Sequence, residues 1–166
     1  DVKGGEQLEK AKGAANRLMG VLNDILDFSK IESEKLVLEH TPFTLDGVFE
    51  NLESLLGQRA QEKGLRLSVD IQENLRHLWV AGDPLRLGQV LTNLLSNAIK
   101  FSDQGEIALR VRSRERGGAV VVLRFEVDDQ GIGIAEAEMP RLFQPFGQAD
   151  ASMTRRYGGS GLGLVI

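Results

Sequence analysis

The segment Gln89-Val-Leu-Thr-Asn-Leu-Leu-Ser-Asn-Ala-Ile-Lys-Phe101 predicts a helix with two distinct faces. Apolar residues recur there every three or four positions and give one face for a hydrophobic core: Leu87, Val90, Leu91, Leu94, Leu95 and Ala98. A second face carries Gln89, Asn93, Asn97 and Lys100. Two carboxamides and an ammonium in one patch suit a magnesium ion that carries a phosphate chain. Solvation alone would favour Glu and Lys at these positions.

Length and composition indicate a globular chain. It has 166 residues, 42% hydrophobic and 27% charged, which excludes a disordered chain. Its 20 basic and 24 acidic residues give a net charge of −4, so we expect no nucleic acid partner. The absence of cysteine excludes disulfides and thiolate metal sites. No signal peptide pattern and no apolar run of about twenty residues occur, and we expect the fragment not to be inserted in a membrane.

A long helix is predicted from Glu6 to about Lys35. Its apolar residues follow a heptad pattern at Leu8, Ala11, Ala15, Leu18, Leu22 and Ile25. Such a seam needs a partner helix, either in another subunit or outside this chain. The alternative is a helix that packs on its own globular domain.

Pro42 disfavours helix at Thr41, so we place a boundary between two units near residues 36–44. Thr44 then resembles the N-cap of a helix that extends from Leu45 to Lys63 and stops at Gly64. The inward residues of this helix are predicted to be Val48, Leu52, Leu55 and Leu56.

Strands are predicted at Leu65–Ile71, Leu78–Ala81, Glu106–Ser113 and Ala119–Asp128, with a polar hairpin turn at Arg114–Gly118 between the last two. Asp83-Pro84 opens the two-faced helix, with Asp as N-cap and Pro in the first turn. This order predicts an α+β fold in which helices lie against a mostly antiparallel sheet.

A carboxylate and two glycines follow the strand that ends at Asp128, in the stretch Asp129-Gln-Gly131-Ile-Gly133. A buried carboxylate at such a strand end can accept a hydrogen bond from an exocyclic amine such as that of adenine. Glycines let the backbone approach a flat base closely. An ordinary turn is the alternative reading of this short pattern.

The last part of the chain contains three further patterns. Phe143-Gln-Pro145-Phe146 follows a predicted short helix at Glu136–Leu142 and suits a structural plug or a contact. Arg155 and Arg156 lie in a polar loop, where they can reach phosphate or remain solvated. Gly158-Gly-Ser-Gly-Leu-Gly-Leu164 favours an anion nest at a helix start. No preceding strand supports a Rossmann fingerprint, and no Gly-Lys-Ser/Thr supports a P-loop.

In order and spacing these patterns closely resemble the N, G1, F and G2 boxes of sensor histidine kinases, over about residues 6–166. The stretch Asn16–Glu32 also resembles the second helix of that family's dimerisation domain. Gly82–Leu91 together with Phe146–Asp150 is most similar to hybrid kinases, which carry receiver domains elsewhere.

The resemblance implies a two-layer α/β sandwich, the Bergerat-type ATP-binding fold shared with gyrase and the heat-shock-90 chaperones. Residues 41–166 would form this domain with its C-terminal end missing. Residues 1–40 would form the second dimerisation helix and a connection, with the first helix absent.

For the site, the resemblance implies an ATP pocket with Mg2+. Asn93 and Lys100 would be catalytic, and Asn97 would bind the magnesium ion. Asp129 would read the adenine amine, and residues 149–157 would form a lid. The implied ATP-binding residues are Asn93, Asn97, Lys100, Phe101, Asp129, Gly131, Gly133, Arg155, Arg156, Gly159, Ser160, Gly161, Leu162 and Gly163.

The activity implied is transfer of the ATP γ-phosphoryl group to a histidine outside this chain, for relay to a receiver aspartate. The family's acceptor histidine precedes an acidic residue, an arginine and a proline, and neither His40 nor His77 matches that pattern. Implied partners are a second copy, through the N-terminal helix, and a receiver domain or response regulator. The implied location is cytoplasmic, within a parent protein that can be anchored in the inner membrane.

Two alternatives remain open. A chaperone, topoisomerase or mismatch-repair ATPase of the same superfamily needs an acidic residue to activate water, and the corresponding position here is Asn93. A non-catalytic module would dimerise through the heptad helix and keep a vestigial or regulatory nucleotide pocket.

Overall fold

A computed structural model describes residues 2–117, 120–145 and 161–165. The chain divides into one unit of Leu38–Ala135 and another that combines Asp1–Val37 with Glu136–Ile166. In the described ranges, none of the helices has the length and apolar character needed to cross a membrane.

In the unit that contains both chain ends, helix α1 extends over Val2–Glu32, close to the predicted bounds. Its heptad face is exposed along much of its length, with relative exposures of 70% at Leu8, 62% at Leu18, 45% at Leu22 and 43% at Ile25. The predicted short helix at residues 136–142 is a 3-10 turn, Glu136–Glu138, followed by helix α4 at Met139–Leu142.

Over its described residues, the unit Leu38–Ala135 contains two long helices and five strands. In chain order they are β1 (Thr41–Thr44), α2 (Leu45–Glu62), β2 (Arg66–Ile71), β3 (Trp79–Gly82), α3 (Pro84–Phe101), β4 (Glu106–Gly117) and β5 (Val120–Asp128). Gly64 lies just after α2 and has a φ of +73°, as expected for a residue that stops a helix.

The larger sheet has the strand order β2-β4-β5. Strands β2 and β4 are parallel, β4 and β5 are antiparallel, and β1 forms a separate antiparallel pair with β3. The predicted hairpin turn at Arg114–Gly118 is wrong, because β4 continues to Gly117 and pairs there with Val120. Polar residues can extend the β4–β5 pair because hydrogen bonding between the two backbones does not require a buried face.

Helices α2 and α3 pack on the sheet and enclose its apolar face. The core contains Leu45, Phe49, Leu52, Leu56, Leu91, Leu95, Ile99, Ile107, Leu109 and Val111. Two predicted core residues lie at the edges of the helical faces instead, Leu55 with 51% exposure and Val90 with 43%. Thr44 occupies the N-cap position of α2, but its side chain makes no capping hydrogen bond.

Candidate functional site

Helix α3 begins with the predicted cap. Asp83 accepts a hydrogen bond from the Arg86 backbone N–H at 3.0 Å, and Pro84 occupies the first turn. The second oxygen of Asp83 accepts from the Glu39 backbone N–H at 3.2 Å. These two hydrogen bonds, that from Arg86 first, lower the pKa of the Asp83 carboxyl below its usual value. One carboxylate therefore holds both the start of α3 and the segment that precedes β1.

The polar stripe of α3 lies opposite its buried side. Asn93 and Asn97 are four residues apart and Lys100 follows three later, so all three share one helical face. All three are half-buried. At the N-terminal end of the stripe, Arg86 donates to the Gln89 side-chain oxygen at 2.8 Å. The structure thus brings together the carboxamides and the ammonium that the sequence predicted to act together.

Lys100 is partly desolvated at the C-terminal end of the stripe. Burial lowers the pKa of its ammonium group from the usual value. Its Nζ lies 4.7 Å from the centroid of the Phe101 ring, within the range of a cation–π contact. A partly dehydrated cation interacts more strongly with an anionic ligand than a fully hydrated one does.

Asp129 directly follows β5 and closes a tight turn. Its Oδ1 accepts from the Gly131 backbone N–H at 2.8 Å. The side chain is exposed, whereas the sequence predicted a buried carboxylate. Since a carboxylate has two acceptor oxygens, one can hold the turn while the other accepts from a ligand amine.

This turn is joined to the last turn of α3. The Ile132 backbone N–H donates to the Phe101 carbonyl oxygen at 3.3 Å. A Cβ atom at Gly131 would lie 2.6 Å from that same oxygen, closer than real Cβ contacts. Gly133 has a φ of +69°, which favours glycine. The two patterns that the sequence presents separately therefore form one surface, with the Asp129–Gly133 turn beside the end of the Asn/Lys helix.

Lys63 contributes to this surface although no pattern in the sequence indicates it. It lies at the C-cap of α2, where a lysine before glycine indicates no more than a helix end. Its Nζ donates to the carbonyl oxygens of Ile99, Lys100 and Ser102 at 2.8, 3.0 and 3.1 Å. No sequence signal shows that the side chain reaches across to α3.

Other predicted site residues belong to the second unit or lie outside the described residues. Residues 162–165 form a turn. Gly161, which precedes it, has a φ of +71°, and Leu162 is fully buried. The Val165 backbone N–H donates to the Leu162 carbonyl at 2.9 Å. The predicted lid, residues 149–157, lies outside the described residues, as do Arg155, Arg156, Gly159 and Ser160.

His77 lies in an exposed turn between the 3-10 turn Glu73–Leu75 and β3. It adopts a left-handed backbone with a φ of +58°. Its backbone N–H donates to Asp46 Oδ2, and its Nδ1 lies 2.8 Å from the same oxygen. No sequence pattern indicates this contact with the first turn of α2.

Comparison with known proteins identifies the family of this chain. Residues 82–166 match the family described as "Histidine kinase-, DNA gyrase B-, and HSP90-like ATPase". The chain is 45% identical over 161 residues to the signal transduction histidine-protein kinase BarA of Escherichia coli, covering 97% of this chain and 17% of BarA. Two relatives from Dictyostelium discoideum, each 40% identical, are named hybrid signal transduction histidine kinases.

Solved structures agree with the sequence relatives. Full-length ShkA in complex with AMPPNP has a TM-score of 0.72 and 30% identity, covering 90% of this chain and 29% of ShkA. The histidine kinase ThkA in complex with the response regulator TrrA has a TM-score of 0.62 and 27% identity, covering 82% of this chain and 38% of that one. The chain thus spans a minor part of the proteins that it matches.

These findings confirm the predicted fold class and the resemblance to hybrid sensor histidine kinases. The chain belongs to the histidine kinase-, DNA gyrase B- and HSP90-like ATPase family, with a catalytic ATPase domain of the histidine kinase type.

Proposed function

We propose that this chain binds ATP with Mg2+ and provides the catalytic part of a kinase that phosphorylates a histidine. In the reaction a neutral imidazole nitrogen attacks the γ-phosphorus, the bond to the bridging oxygen breaks, and ADP leaves with that electron pair. The phosphorylated ring then loses its remaining N–H proton to solvent. The phosphoryl group passes on to a receiver aspartate.

The observation that carries this proposal is the hydrogen bond between Ile132 and the Phe101 carbonyl. It brings the Asp129 turn, suited to the adenine amine, beside the end of the helix whose stripe suits phosphate. A nucleotide needs both kinds of contact, at the separation of its base and its phosphates. The AMPPNP in the complex of ShkA, a structural neighbour at 30% identity, supports the same ligand class.

Each site residue has a proposed role. We assign the magnesium ion to Asn97, with Asn93 beside it, and phosphate to Lys100. Phe101 and the glycines at 131 and 133 shape the base site, while Asp129 accepts from the adenine amine. The remaining assignments concern the phosphates: Arg155, Arg156, Gly159, Ser160, Gly161, Leu162 and Gly163.

A magnesium site with few protein ligands fits the donors present. Among residues 2–117, 120–145 and 161–165, no group of three or more His, Asp or Glu residues is placed to hold a metal ion. Magnesium commonly takes one or two protein oxygens and completes its shell with water and substrate phosphates. The carboxamide of Asn97 can supply such an oxygen, and the ion would neutralise phosphate charge when bound.

ATP titration with and without Mg2+ tests the binding proposal. Asn97→Ala should weaken ATP binding about tenfold in the presence of Mg2+, and much less in EDTA, because it removes a metal ligand. Asn51→Ala, an exposed position on α2, is the matched control and should bind as wild type does. A wild-type chain without saturable ATP binding would contradict the proposal.

Asp129→Asn tests the base contact separately. An asparagine oxygen can still accept from Gly131 N–H, so the turn and the free energy of unfolding should change little. The other carboxylate oxygen becomes an amide donor, which cannot accept from adenine. We expect ATP affinity to fall at least about tenfold while GTP affinity falls less; equal effects on both nucleotides would contradict this role.

The acceptor histidine is proposed to lie in the dimerisation domain of the complete kinase. His40 precedes β1, and His77 contacts Asp46. Incubating the complete kinase with labelled ATP should give acid-labile phosphate on a third histidine, and label on either of these two would overturn the assignment. Detectable ADP release without any protein acceptor would favour an ATPase, which the carboxamide at Asn93 argues against.

We also propose that α1 is the second dimerisation helix, within residues 1–40, and that 41–166 belong to the ATP-binding domain. The exposed heptad residues of α1 support this, since such a face is suited to a helical bundle. The Leu18→Glu/Leu22→Glu variant of the complete kinase should sediment as a monomer, while wild type sediments as a dimer. Because ATP is a cytoplasmic metabolite, the proposed reaction places this part of the protein in the cytoplasm.

A further inference from the structure

Lys63 donates hydrogen bonds to backbone carbonyls at the end of a helix to which it does not belong. Its ammonium has three N–H donors, and they reach three carbonyl oxygens at the C-terminus of α3, those of Ile99, Lys100 and Ser102. The distances, 2.8 to 3.1 Å, are those of good hydrogen bonds. The last carbonyls of a helix have no partner within it and carry partial negative charge, so a cation there is doubly favourable.

The remaining carbonyls of this turn are satisfied as well. The Ala98 carbonyl accepts from Ser102 N–H at 3.0 Å, and the Phe101 carbonyl accepts from Ile132 N–H at 3.3 Å. Each carbonyl from Ala98 to Ser102 therefore has a hydrogen-bond donor. With its peptide groups held from α2 and from the Asp129 turn, the last turn of α3 has little freedom to unwind or shift.

Two proposed nucleotide contacts depend on this turn. Lys100 extends from a peptide whose own carbonyl is bound by Lys63, and its Nζ lies over the Phe101 ring. The neighbouring Phe101 carbonyl carries the hydrogen bond that holds Ile132 in the base-side turn. The ammonium of Lys63 is thus attached to the point where the phosphate side and the base side of the site meet.

We propose that Lys63 is a positioning residue for nucleotide binding, acting through the C-terminal turn of α3 on Lys100 and the Asp129–Gly133 turn. This inference rests on the proposed ATP site. Lys63 itself need not touch the nucleotide, because its three donors are used by carbonyl oxygens. Loss of its ammonium should loosen the site while the apolar core that joins α2 to α3 remains.

ATP affinity of Lys63→Met tests the proposal, because methionine keeps an unbranched stem and removes the donors. We expect about tenfold weaker binding at a temperature well below the unfolding transition. Arg59→Met is the matched control, since Arg59 is exposed in the last turn of the same helix. It removes one positive charge from α2 and should bind ATP as wild type does.

A double-mutant cycle separates positioning from a general loss of stability. Because Lys63 acts partly through Lys100 and partly through the Asp129–Gly133 turn, Lys63→Met should cost about threefold in a Lys100→Met background, against about tenfold in wild type. A purely structural lysine would give the same factor in both backgrounds, and that additive result would overturn the proposal.

Lys63→Arg keeps the inference testable if the methionine variant does not fold. Its guanidinium retains the charge but holds its donors in a plane, so it cannot direct three of them at carbonyls that converge on one point. We expect an intermediate affinity, weaker than wild type, and wild-type affinity would count against the proposal. If wild type binds ATP and Lys63→Met binds it with the same affinity, only the role of Lys63 is refuted. If wild type does not bind ATP, the ATP site itself is refuted.

Discussion

Gly131→Ala is the substitution that tests most directly how the two halves of the site are joined. The added Cβ would lie 2.6 Å from the Phe101 carbonyl oxygen and 2.8 Å from Asp129 Oδ1. To reach an ordinary contact of 3.4 Å from the Phe101 oxygen, the turn must move away from α3 by about 0.8 Å (3.4 − 2.6). A like displacement of Ile132 N–H would lengthen its 3.3 Å hydrogen bond beyond the usual limit.

The cost of this movement can be estimated from its parts. Overpacking of one methyl group costs about 1–3 kcal/mol, and a lost hydrogen bond about 1 kcal/mol. If about 2 kcal/mol of this cost opposes formation of the nucleotide-bound geometry, the affinity for ATP falls about 30-fold. Calorimetric titration of ATP into the variant measures this factor, and urea denaturation measures how much of the cost appears as reduced stability.

Gly88→Ala provides the control for this experiment. Gly88 lies inside α3, and a Cβ there would meet no atom within 4 Å. Alanine should raise the free energy of unfolding by about 0.5–1 kcal/mol and leave ATP affinity unchanged. Unchanged affinity and unchanged stability in Gly131→Ala would refute the argument that glycine is required by close approach of the turn to α3.

Three further predictions concern the unit that contains α3. Leu95→Ala should lower the free energy of unfolding by about 3 kcal/mol because Leu95 is fully buried, while Val90→Ala, at an exposed edge, should cost less than about 1 kcal/mol in the same urea titration. The Asp83 carboxyl has a lowered pKa, so its stabilising contribution is fully present above the unfolded-state pKa and is lost as pH falls through the lower folded-state pKa. The difference in urea midpoint between wild type and Asp83→Asn should therefore shrink between about pH 6 and pH 3. A constant difference would contradict the capping role. Ser102→Ala should leave stability unchanged or raise it, because the Ser102 hydroxyl is buried and has no hydrogen-bond partner among the described residues, and because the contact of its carbonyl with Lys63 does not involve the side chain.

Much of the fold was predictable because local patterns specify local structure. The bounds of α2 and α3, the Asp83 cap and the Gly64 stop follow from apolar periodicity and terminal residues. The errors lie where tertiary context decides. β4 continues through residues that the sequence suggests for a turn, and Leu55 is apolar but lies at the edge of the buried face. The extent of a strand depends on its partner, which local propensity does not contain.

For the site, the order of its patterns was sufficient to identify the family, and the comparisons confirmed it. The residue roles stay predictions, and several of those residues lie outside the described structure. The contribution of Lys63 could not be predicted, because it concerns a partner helix 36 to 39 residues further along the chain. A lysine before a glycine looks the same whether its side chain is solvated or caps another helix.

The sequence by itself determined that one helix of this protein has an apolar face and a carboxamide-rich face, since both follow from the 3.6-residue period of an α-helix. It also determined the chemistry available at that helix and at the Asp129 turn. Only the tertiary structure decided that the Phe101 carbonyl meets Ile132 and that Lys63 closes the end of α3. The physical reason is that hydrogen bonds between distant segments depend on how the helices and the sheet pack, and no periodicity along the chain encodes those distances.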